Sequence, residues 1–367
     1  MLRIILFLCI IFNIVHTEVV KLLPPTKDHI YFGAFPDFGG PEDKVSTQKV
    51  RDFETLVGKK IVWAYFSQNW FNGITYPKAD IHAISKSGAI PFVRLMPRSD
   101  ESQGEKERTF TLSRIITGKF DTALRRWAKD AKKDNIPLLV DFAVEPNGDW
   151  FPWSGVLNGG GTTNAYGDPN YPDGPERFRD AYRHIITLFK EEGAEHITWF
   201  FHFNYVSIPD TAWNQPRYYY PEDDYIDWVG FSLYGAQTHD ETWDGLAFST
   251  QLKAYISGYH TLSTEKPVAL LEFGVTDNHP QGNKAKWFDD AFATILNNPY
   301  IHFKAIAPWH ENWENEDGSY STLRLDSSTE TTKHFREWIK NPRFVTKPRF
   351  EHSCYRFLPA VYGLLAN

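Results

Sequence analysis

Residues 138–153 form the stretch LLVDFAVEPNGDWFPW, and the order of residue types within it guides the prediction of the fold. It begins with a short apolar run, which is typical of a buried strand. The run stops at Glu145, and the following Pro-Asn-Gly prevents the strand from continuing. Because two tryptophans come next, the carboxylate suits acid chemistry on a sugar. A turn or helix-capping carboxylate is the alternative interpretation of a lone Glu-Pro-Asn-Gly.

The same kind of apolar run occurs eight times along the chain, and polar or amphipathic segments separate the runs. The predicted strands are Ile30–Phe35, Ile61–Phe66, Ala89–Leu95, Ile136–Val144, Ile197–Phe203, Ile226–Phe231, Pro267–Phe273 and Ile301–Pro308. The predicted helices are Ala79–Ser87, Phe120–Lys133, Pro175–Glu191, Thr242–Ser257, Lys284–Leu296 and Thr331–Lys340. Strands that alternate with helices in this way predict the α/β class, as a (β/α)₈ TIM barrel with a single catalytic domain.

The amino terminus and the composition bound the cellular setting. Arg3 followed by the apolar run Ile4–Val15 has the layout of a secretory signal, so we expect residues 1–17 to be a signal peptide; an uncleaved anchor is the alternative. Residues 18–343 are then the catalytic domain and residues 344–367 an extension of unknown role. The net charge of −7 argues against a nucleic-acid or anionic-membrane partner. We expect a secreted, extracellular monomer.

Two glutamates are the strongest catalytic candidates. In a barrel the C-terminal ends of all strands meet on one face, where barrel enzymes build their active sites. The predicted fourth strand ends at Glu145 and the seventh at Glu272, which Phe-Gly follows. Glycoside hydrolysis needs two carboxyl groups, one to protonate the leaving oxygen and one to attack the anomeric carbon or activate water. The pair therefore predicts a glycosidase.

Other side chains at the predicted strand ends are candidates for binding the substrate. Tyr234 is placed to hydrogen-bond a catalytic carboxylate, and Trp309 to form the floor of a sugar pocket; a half-buried tyrosine and a core tryptophan are the alternatives. Asn204, Arg94, His202 and His310 are candidates for contacts with sugar hydroxyls, although a structural role is favoured for each histidine. No histidine or aspartate cluster has metal-ligand spacing, so no metal and no other cofactor is expected.

With these residues in place, the chain resembles glycoside hydrolase family 26, the β-mannanase family of retaining (β/α)₈ enzymes. The resemblance runs from about Ile30 to Lys340. It rests on these segments in this order: Glu145–Trp153, Pro175–Phe178 with Arg183–His184, Trp199–Asn204, Asp227–Gly230 with Tyr234, and Leu271–Gly274.

The resemblance implies a role for each of four residues. Glu145 would be the acid/base, Glu272 the nucleophile, Tyr234 the hydrogen-bond partner of the nucleophile, and Trp150 a wall of the sugar site, with Trp153 nearby. The chain departs from the family at two positions. Val144 stands where the family usually has a histidine, and Ser232 stands where it often has an aspartate. Both departures bear on substrate specificity.

The resulting hypothesis is a secreted retaining endo-β-glycanase that hydrolyses β-1,4-mannan-type polysaccharide by double displacement. The alternative keeps the mechanism and changes the substrate to mixed-linkage β-1,3-1,4-glucan or β-1,3-xylan. A barrel that binds polysaccharide without cleaving it belongs to another functional class, and the presence of both Glu145 and Glu272 argues against it.

Overall fold

The computed structural model describes residues 17–242, 247–259, 262–263, 265–315 and 318–354. The predicted signal peptide, apart from the backbone of Thr17, therefore lies outside the described residues, as does the chain after Cys354.

A curled sheet of nine parallel strands forms the centre of the molecule, and eight of them close into a barrel. In chain order, the strands of the described residues are β1 (Thr17–Leu23), β2 (Ile30–Phe32), β3 (Trp63–Asn69), β4 (Ile90–Met96), β5 (Leu138–Phe142), β6 (Ile197–Asn204), β7 (Trp228–Tyr234), β8 (Val268–Gly274), β9 (Phe303–Pro308), β10 (Asn312–Glu314), β11 (Tyr320–Thr322), β12 (Phe344–Val345) and β13 (Arg349–Cys354). Of these, β1, β10, β11 and β13 lie outside the nine-stranded sheet. Each of β2 to β8 is followed by at least one helix before the next barrel strand, and α9 follows β9. The helices are α1 (Thr47–Val57), α2 (Lys78–Ser87), α3 (Leu112–Ile116), α4 (Asp121–Asp134), α5 (Asp173–Glu191), α6 (Pro216–Tyr219), α7 (Phe248–Tyr259), α8 (Lys284–Asn297) and α9 (Thr329–Ile339).

The barrel closes where the chain of β2 meets β3. Residues 34 and 64 form a parallel bridge. The amide of Ala34 donates to the carbonyl of Trp63 at 3.1 Å, and the amide of Tyr65 donates to the carbonyl of Ala34 at 3.2 Å. All eight predicted barrel strands are present, so the (β/α)₈ prediction is confirmed.

Aromatic rings fill the lower half of the barrel interior. The ring of Trp63 on β3 lies 6.2 Å from that of Phe200 on β6, and Phe200 lies 4.7 Å from Phe92 on β4. Because β6 is a neighbour of neither β3 nor β4 in the sheet, the rings meet inside the barrel. Side chains alternate along a strand, so the residue two positions further on also points inward. In β4 and β6 these residues are Arg94 and His202, which begin a polar layer nearer the C-terminal face.

Several elements differ from the sequence-based expectation. Helix α1 was not predicted, although Ser46 caps its start and Gly58 ends it with a φ of 71°. The β10–β11 hairpin was also missed. Strand β5 ends at Phe142 rather than at Val144, because Ala143 has a φ of 53° and leaves the extended conformation.

The two chain ends described here pack on the bottom and side of the barrel. Strand β12 pairs in parallel with β2, and β13 pairs antiparallel with β1. Within the described ranges, no helix combines the length and the apolar character needed to cross a membrane.

The closure of the barrel leads to a stability prediction. A Cβ atom added to Gly33 would lie 2.3 Å from ring atoms of the fully buried Trp63, which Phe92 and Phe200 hold in place. We expect Gly33→Ala to lower the free energy of unfolding by about 1–3 kcal/mol, the usual cost of overpacking a core. Urea unfolding measures it.

Gly40→Ala is the matched control, because a Cβ added there meets no atom within 4 Å. It should change the free energy of unfolding by less than about 0.5 kcal/mol. Equal effects of the two substitutions would contradict the packing described at the closure.

Candidate active site

A cleft of about 960 Å³ opens at the C-terminal face of the barrel, and both candidate catalytic glutamates line it. Its wall also includes Arg94, Trp150, Asn204, Tyr234 and Trp309, which were predicted from the sequence to bind substrate, as was Trp153, which does not line the cleft. Because the five lining residues lie on or just after five different strands, only closure of the barrel brings them together. The volume suits a site for a small ligand or for a few sugar units of a longer chain.

Glu145 lies just beyond the end of β5 and is held by an irregular backbone. Both Ala143 and Glu145 have positive φ angles, 53° and 54°. Non-glycine residues rarely adopt this conformation, and such strain tends to occur at functional sites. The amide of Glu145 donates to the carbonyl of His202 at 2.9 Å, and the indole N–H of Trp150 donates to Glu145 Oε2 at 3.0 Å. The carboxyl group is thus fixed at the base of the cleft.

Glu272 belongs to β8, and both of its carboxylate oxygens are bonded. Arg94 Nη1 donates to Oε1 at 2.8 Å, and the hydroxyl of Tyr234 donates to Oε2 at 2.7 Å. The predicted contact between Tyr234 and Glu272 is therefore present. Both partners are buried, so they restrict the carboxylate to one orientation.

The electrostatic settings of the two glutamates differ. Burial raises the pKa of Glu145, and the hydrogen bond from Ser232, the charge of Arg94 and the hydrogen bond from Trp150 lower it in part. Burial also raises the pKa of Glu272, to about 7; the charge of Arg94 opposes the shift and the charge of Glu145 adds to it. Because the guanidinium contacts Glu272, we infer that Glu272 carries the negative charge of the pair and that Glu145 keeps the proton.

Arg94 has a different role from the one predicted. It was a candidate for sugar hydroxyls, but its two terminal nitrogens face carboxylates: Nη1 faces Glu272, and Nη2 lies 3.3 Å from Glu42 Oε2. Only 3% of Arg94 is exposed. A buried charge is stable only when it is paired, so the terminal nitrogens of Arg94 are engaged by these two carboxylates.

Trp309 and Asn204 lie where the sequence placed them. Trp309 stacks on Phe35 with ring centroids 4.1 Å apart and forms part of the cleft floor. Asn204 lines the cleft, and its side-chain amide donates to the carbonyl of Val206 at 2.9 Å.

Trp153 and His310 lie away from the cleft. Trp153 is buried; its indole N–H donates to the carbonyl of Val144 at 2.7 Å, and its ring stacks on Phe151. It supports the backbone of the Glu145 loop rather than the cleft wall. His310 is buried as well, and its Nδ1 accepts the amide of Leu325, in keeping with the structural role favoured for it.

Three further acids of the site, two of them buried and one half-buried, were not identified from the sequence. Glu42 lies in the loop after β2, where it also accepts the hydroxyl of Ser67 at 2.5 Å. Asp141 lies within the apolar run of β5, and an acid in such a run indicates a buried carboxyl group. Glu311 follows Trp309 by two residues, so the alternation of an extended chain places both on one side. Glu42 and Glu311 line the cleft.

Beneath the cleft, Asp141, His202 and Ser232 form a buried hydrogen-bonded row. Asp141 Oδ2 lies 3.2 Å from His202 Nδ1, and His202 Nε2 lies 2.7 Å from the hydroxyl of Ser232. Burial raises the pKa of Asp141 to about 8 and lowers that of His202 to about 4. Both side chains are therefore uncharged near pH 6, and the carboxyl group of Asp141 keeps its proton. Ser232, one of the two family departures, ends this row at the catalytic pair.

Metal ligation has no support among the described residues, where no group of three or more His, Cys, Asp or Glu side chains is arranged to hold a metal ion.

Comparison with known sequences connects this site to a family of glycosidases. A model described as glycosyl hydrolase family 26 matches residues 107–253, which include Glu145 and Tyr234. Endoglucanase H of Acetivibrio thermocellus is 26% identical over 297 residues, which cover 80% of this chain and 29% of that protein. The chain thus spans less than a third of the length of this relative.

Solved structures share the fold. The catalytic domain of an endo-β-1,4-mannanase from Bacillus sp. JAMB-750 superposes with a TM-score of 0.61 at 16% identity, over 87% of each chain. An endo-β-1,4-mannanase from Cellulomonas fimi superposes with a TM-score of 0.58 at 18% identity, over 87% of this chain and 72% of that one. At such low identity these similarities concern the fold.

The buried row generates a prediction about pH and stability. The pKa of Asp141 is about 8 in the folded chain and has its ordinary value of 3.8 in the unfolded chain, so Asp141 binds a proton on folding between these pH values. The wild type should lose stability on this account as the pH rises from about 4 to about 8. The side chain of Asp141→Asn does not ionise, so the variant does not lose stability in this way, and its amide keeps a donor toward His202. Urea unfolding at pH 5 and pH 8 should therefore show that the free energy of unfolding of the variant, relative to the wild type, is higher at pH 8 than at pH 5.

Asp149→Asn, at an exposed carboxyl, is the control and should follow the wild type at both pH values. A constant difference between Asp141→Asn and the wild type would mean that Asp141 is ionised throughout, and the neutral pair would be wrong.

Proposed function

We propose that this chain, which belongs to glycosyl hydrolase family 26, is an endo-β-glycanase that cleaves its polysaccharide by double displacement with retention of configuration. The observation that carries the proposal is the unequal environment of two glutamates in one cleft. Glu272 is bonded to a guanidinium and a phenol, whereas Glu145 is bonded to an indole. Unequal carboxyl groups are what acid and nucleophile roles require.

In the first step Glu272 acts as the nucleophile. Its carboxylate attacks the anomeric carbon as the bond to the leaving oxygen breaks, and the proton of Glu145 passes to that oxygen. The hydrogen bonds from Arg94 and Tyr234 keep the carboxylate ionised and aimed along one direction. The product of this step is a glycosyl ester of Glu272 and a free sugar end.

In the second step Glu145 acts as the base. Esterification removes the negative charge of Glu272, and that charge had favoured the protonated form of Glu145. The pKa of Glu145 therefore falls between the steps, and its carboxylate takes a proton from a water molecule. The water oxygen attacks the anomeric carbon as the bond from that carbon to the Glu272 oxygen breaks and the Glu272 carboxylate leaves. The indole N–H of Trp150 remains bonded to Oε2 and favours the ionised form. Glu145 ends the cycle protonated, and Glu272 ends it ionised.

For the substrate, the leading candidate is β-1,4-mannan, in line with the mannanase names of the two superposed structures. Mixed-linkage β-glucan is the second candidate, and two observations favour it. The curated sequence relative is named an endoglucanase, and Ser232 and Val144 replace residues usual in the β-mannanases. Ser232 ends a row that contacts the catalytic pair, so its replacement bears on the sugar held there.

Export, a monomeric state and the division of the chain at residues 17 and 343 belong to the same proposal. Export rests on the layout of residues 1–17, and amino-terminal sequencing of secreted protein tests it. A mature chain that still begins at Met1 would contradict it.

A panel of neutral glycans tests the activity. Reducing ends should appear from β-mannan or from mixed-linkage β-glucan, with oligosaccharides rather than single sugars as early products. Binding to a glycan without release of reducing ends would favour the non-catalytic alternative. The relative rates on the two glycans decide the substrate.

The roles of the glutamates predict different losses. Glu145→Ala should retain turnover of aryl glycosides whose leaving group needs no proton, and added azide should accelerate it. Glu272→Ala should lose activity by about 10⁴-fold or more on every substrate, because no other carboxylate of the cleft replaces the nucleophile. Steady-state kinetics on polymer and aryl glycoside distinguish the two patterns.

A mechanism-based fluorosugar should label Glu272, which peptide mapping identifies. Circular dichroism confirms that each variant is folded. Labelling of Glu145, or a first product of inverted configuration, would show that the roles or the mechanism are assigned incorrectly.

A further inference from the structure

The chain remains extended after β9 and continues along the cleft. Residues 35 and 309 form a parallel bridge, and the amide of His310 donates to the carbonyl of Phe35 at 3.2 Å. Side chains alternate here: Trp309 and Glu311 line the cleft, and His310 between them packs edge-on against Phe53 on the other side. Glu311 is therefore built into the cleft wall on the same side as the tryptophan of its floor.

Glu311 differs from three other carboxyl groups that line the cleft. Only 4% of the residue is exposed, yet it lines the cleft. Glu42, Glu145 and Glu272 each accept a hydrogen bond from a neighbouring side chain. Across the described ranges, no hydrogen bond or ion pair engages the carboxyl of Glu311. Its oxygens therefore remain available to a ligand in the cleft.

Burial and the charges that face Glu311 determine its protonation. Burial, the largest effect, and the charges of Glu42 and Asp37 together raise the pKa of Glu311 to about 8, against the opposing charges of Lys49 and Arg94. Near pH 6 the group is thus a neutral acid, which has one O–H donor and acceptor oxygens. A sugar hydroxyl also donates and accepts, so the two groups match. An ionised carboxylate has only acceptors.

We propose that the Glu311 carboxyl binds hydroxyl groups of a neutral sugar unit in the cleft, on the wall that it shares with Trp309. The position follows from the alternation of side chains after β9, which places Trp309 and Glu311 on the same side of the chain, facing the cleft. The proposal rests on the proposed glycanase function and adds to it a substrate-binding residue that takes no part in bond breaking. Its contribution therefore belongs to substrate binding rather than to the rate of the chemical step.

The test compares the wild type with Glu311→Gln and Glu311→Ala on whichever neutral glycan the wild type cleaves, from pH 6 to pH 9. The wild-type KM should rise about tenfold across the range as Glu311 ionises and loses its donor. The amide of Glu311→Gln keeps a donor and an acceptor at every pH, so its KM should lack this rise. At pH 6 Glu311→Ala should raise KM about five- to tenfold and leave kcat within about twofold.

Glu105→Gln, at an exposed position outside the cleft, is the control for loss of one charge and should keep the wild-type KM at each pH. Thermal melts report whether each variant is folded. Glu311→Gln is nearly isosteric and keeps the test valid if Glu311→Ala does not fold. Calorimetric titration with a neutral oligosaccharide measures the same pH dependence in binding, without turnover.

Three results would overturn the proposal. One is a KM of Glu311→Gln that follows the wild type at every pH. Another is a lowered kcat of Glu311→Ala with an unchanged KM. The third is wild-type affinity for the neutral sugar that improves as the pH rises, because this would mean that the ionised carboxylate, and not the neutral acid, binds the sugar. In each case wild-type turnover leaves the glycanase function standing. If no glycan is cleaved, the glycanase function fails, and the titration still decides whether Glu311 binds sugar.

Discussion

The contact of Arg94 with Glu272 and Glu42 is the interaction on which the site depends. A guanidinium that is 3% exposed lies between two carboxylates, one at the end of β8 and one in the loop after β2. Taking a charge out of water is expensive, and the paired carboxylates, together with the rings of Tyr65 and Trp309, offset that cost here. The arginine therefore holds the nucleophile candidate and draws the β2–α1 loop onto the cleft.

This contact makes the two candidate catalytic glutamates unequal. Both are buried, and burial alone would favour the neutral form of each. Of the two, Glu272 contacts the cation, and Glu145 contacts the indole of Trp150. Two identical side chains in one cleft thus have different hydrogen-bonding partners.

The layers below the catalytic pair change from charged to neutral to aromatic. Arg94 and the glutamates form the charged layer, and Asp141, His202 and Ser232 form a neutral one beneath it. The rings of Phe92 and Phe200 lie two residues before Arg94 and His202 and seal the barrel interior. A neutral polar layer gives the catalytic carboxyl groups hydrogen-bonding neighbours without adding a further buried charge.

The sequence by itself determined the barrel and the face on which the site lies. Strands covered on both sides are apolar throughout, so eight such runs are visible without any structure, and the ends of parallel strands must meet on one face. Glu145 and Glu272 were found in this way. Helix α1 was missed because its stretch TQKVRDFETLV has few apolar residues among polar ones.

Only the tertiary structure decided which side chains are partners. Arg94 was expected to contact sugar, but it pairs with a glutamate 178 residues away. Trp153 was expected in the cleft, but the turn after Glu145 carries it behind the wall. Asp141 and Glu311 obtain their neutral state from burial and from charges on other elements. Strand periodicity specifies the direction of a side chain, whereas its neighbours across the barrel follow from closure.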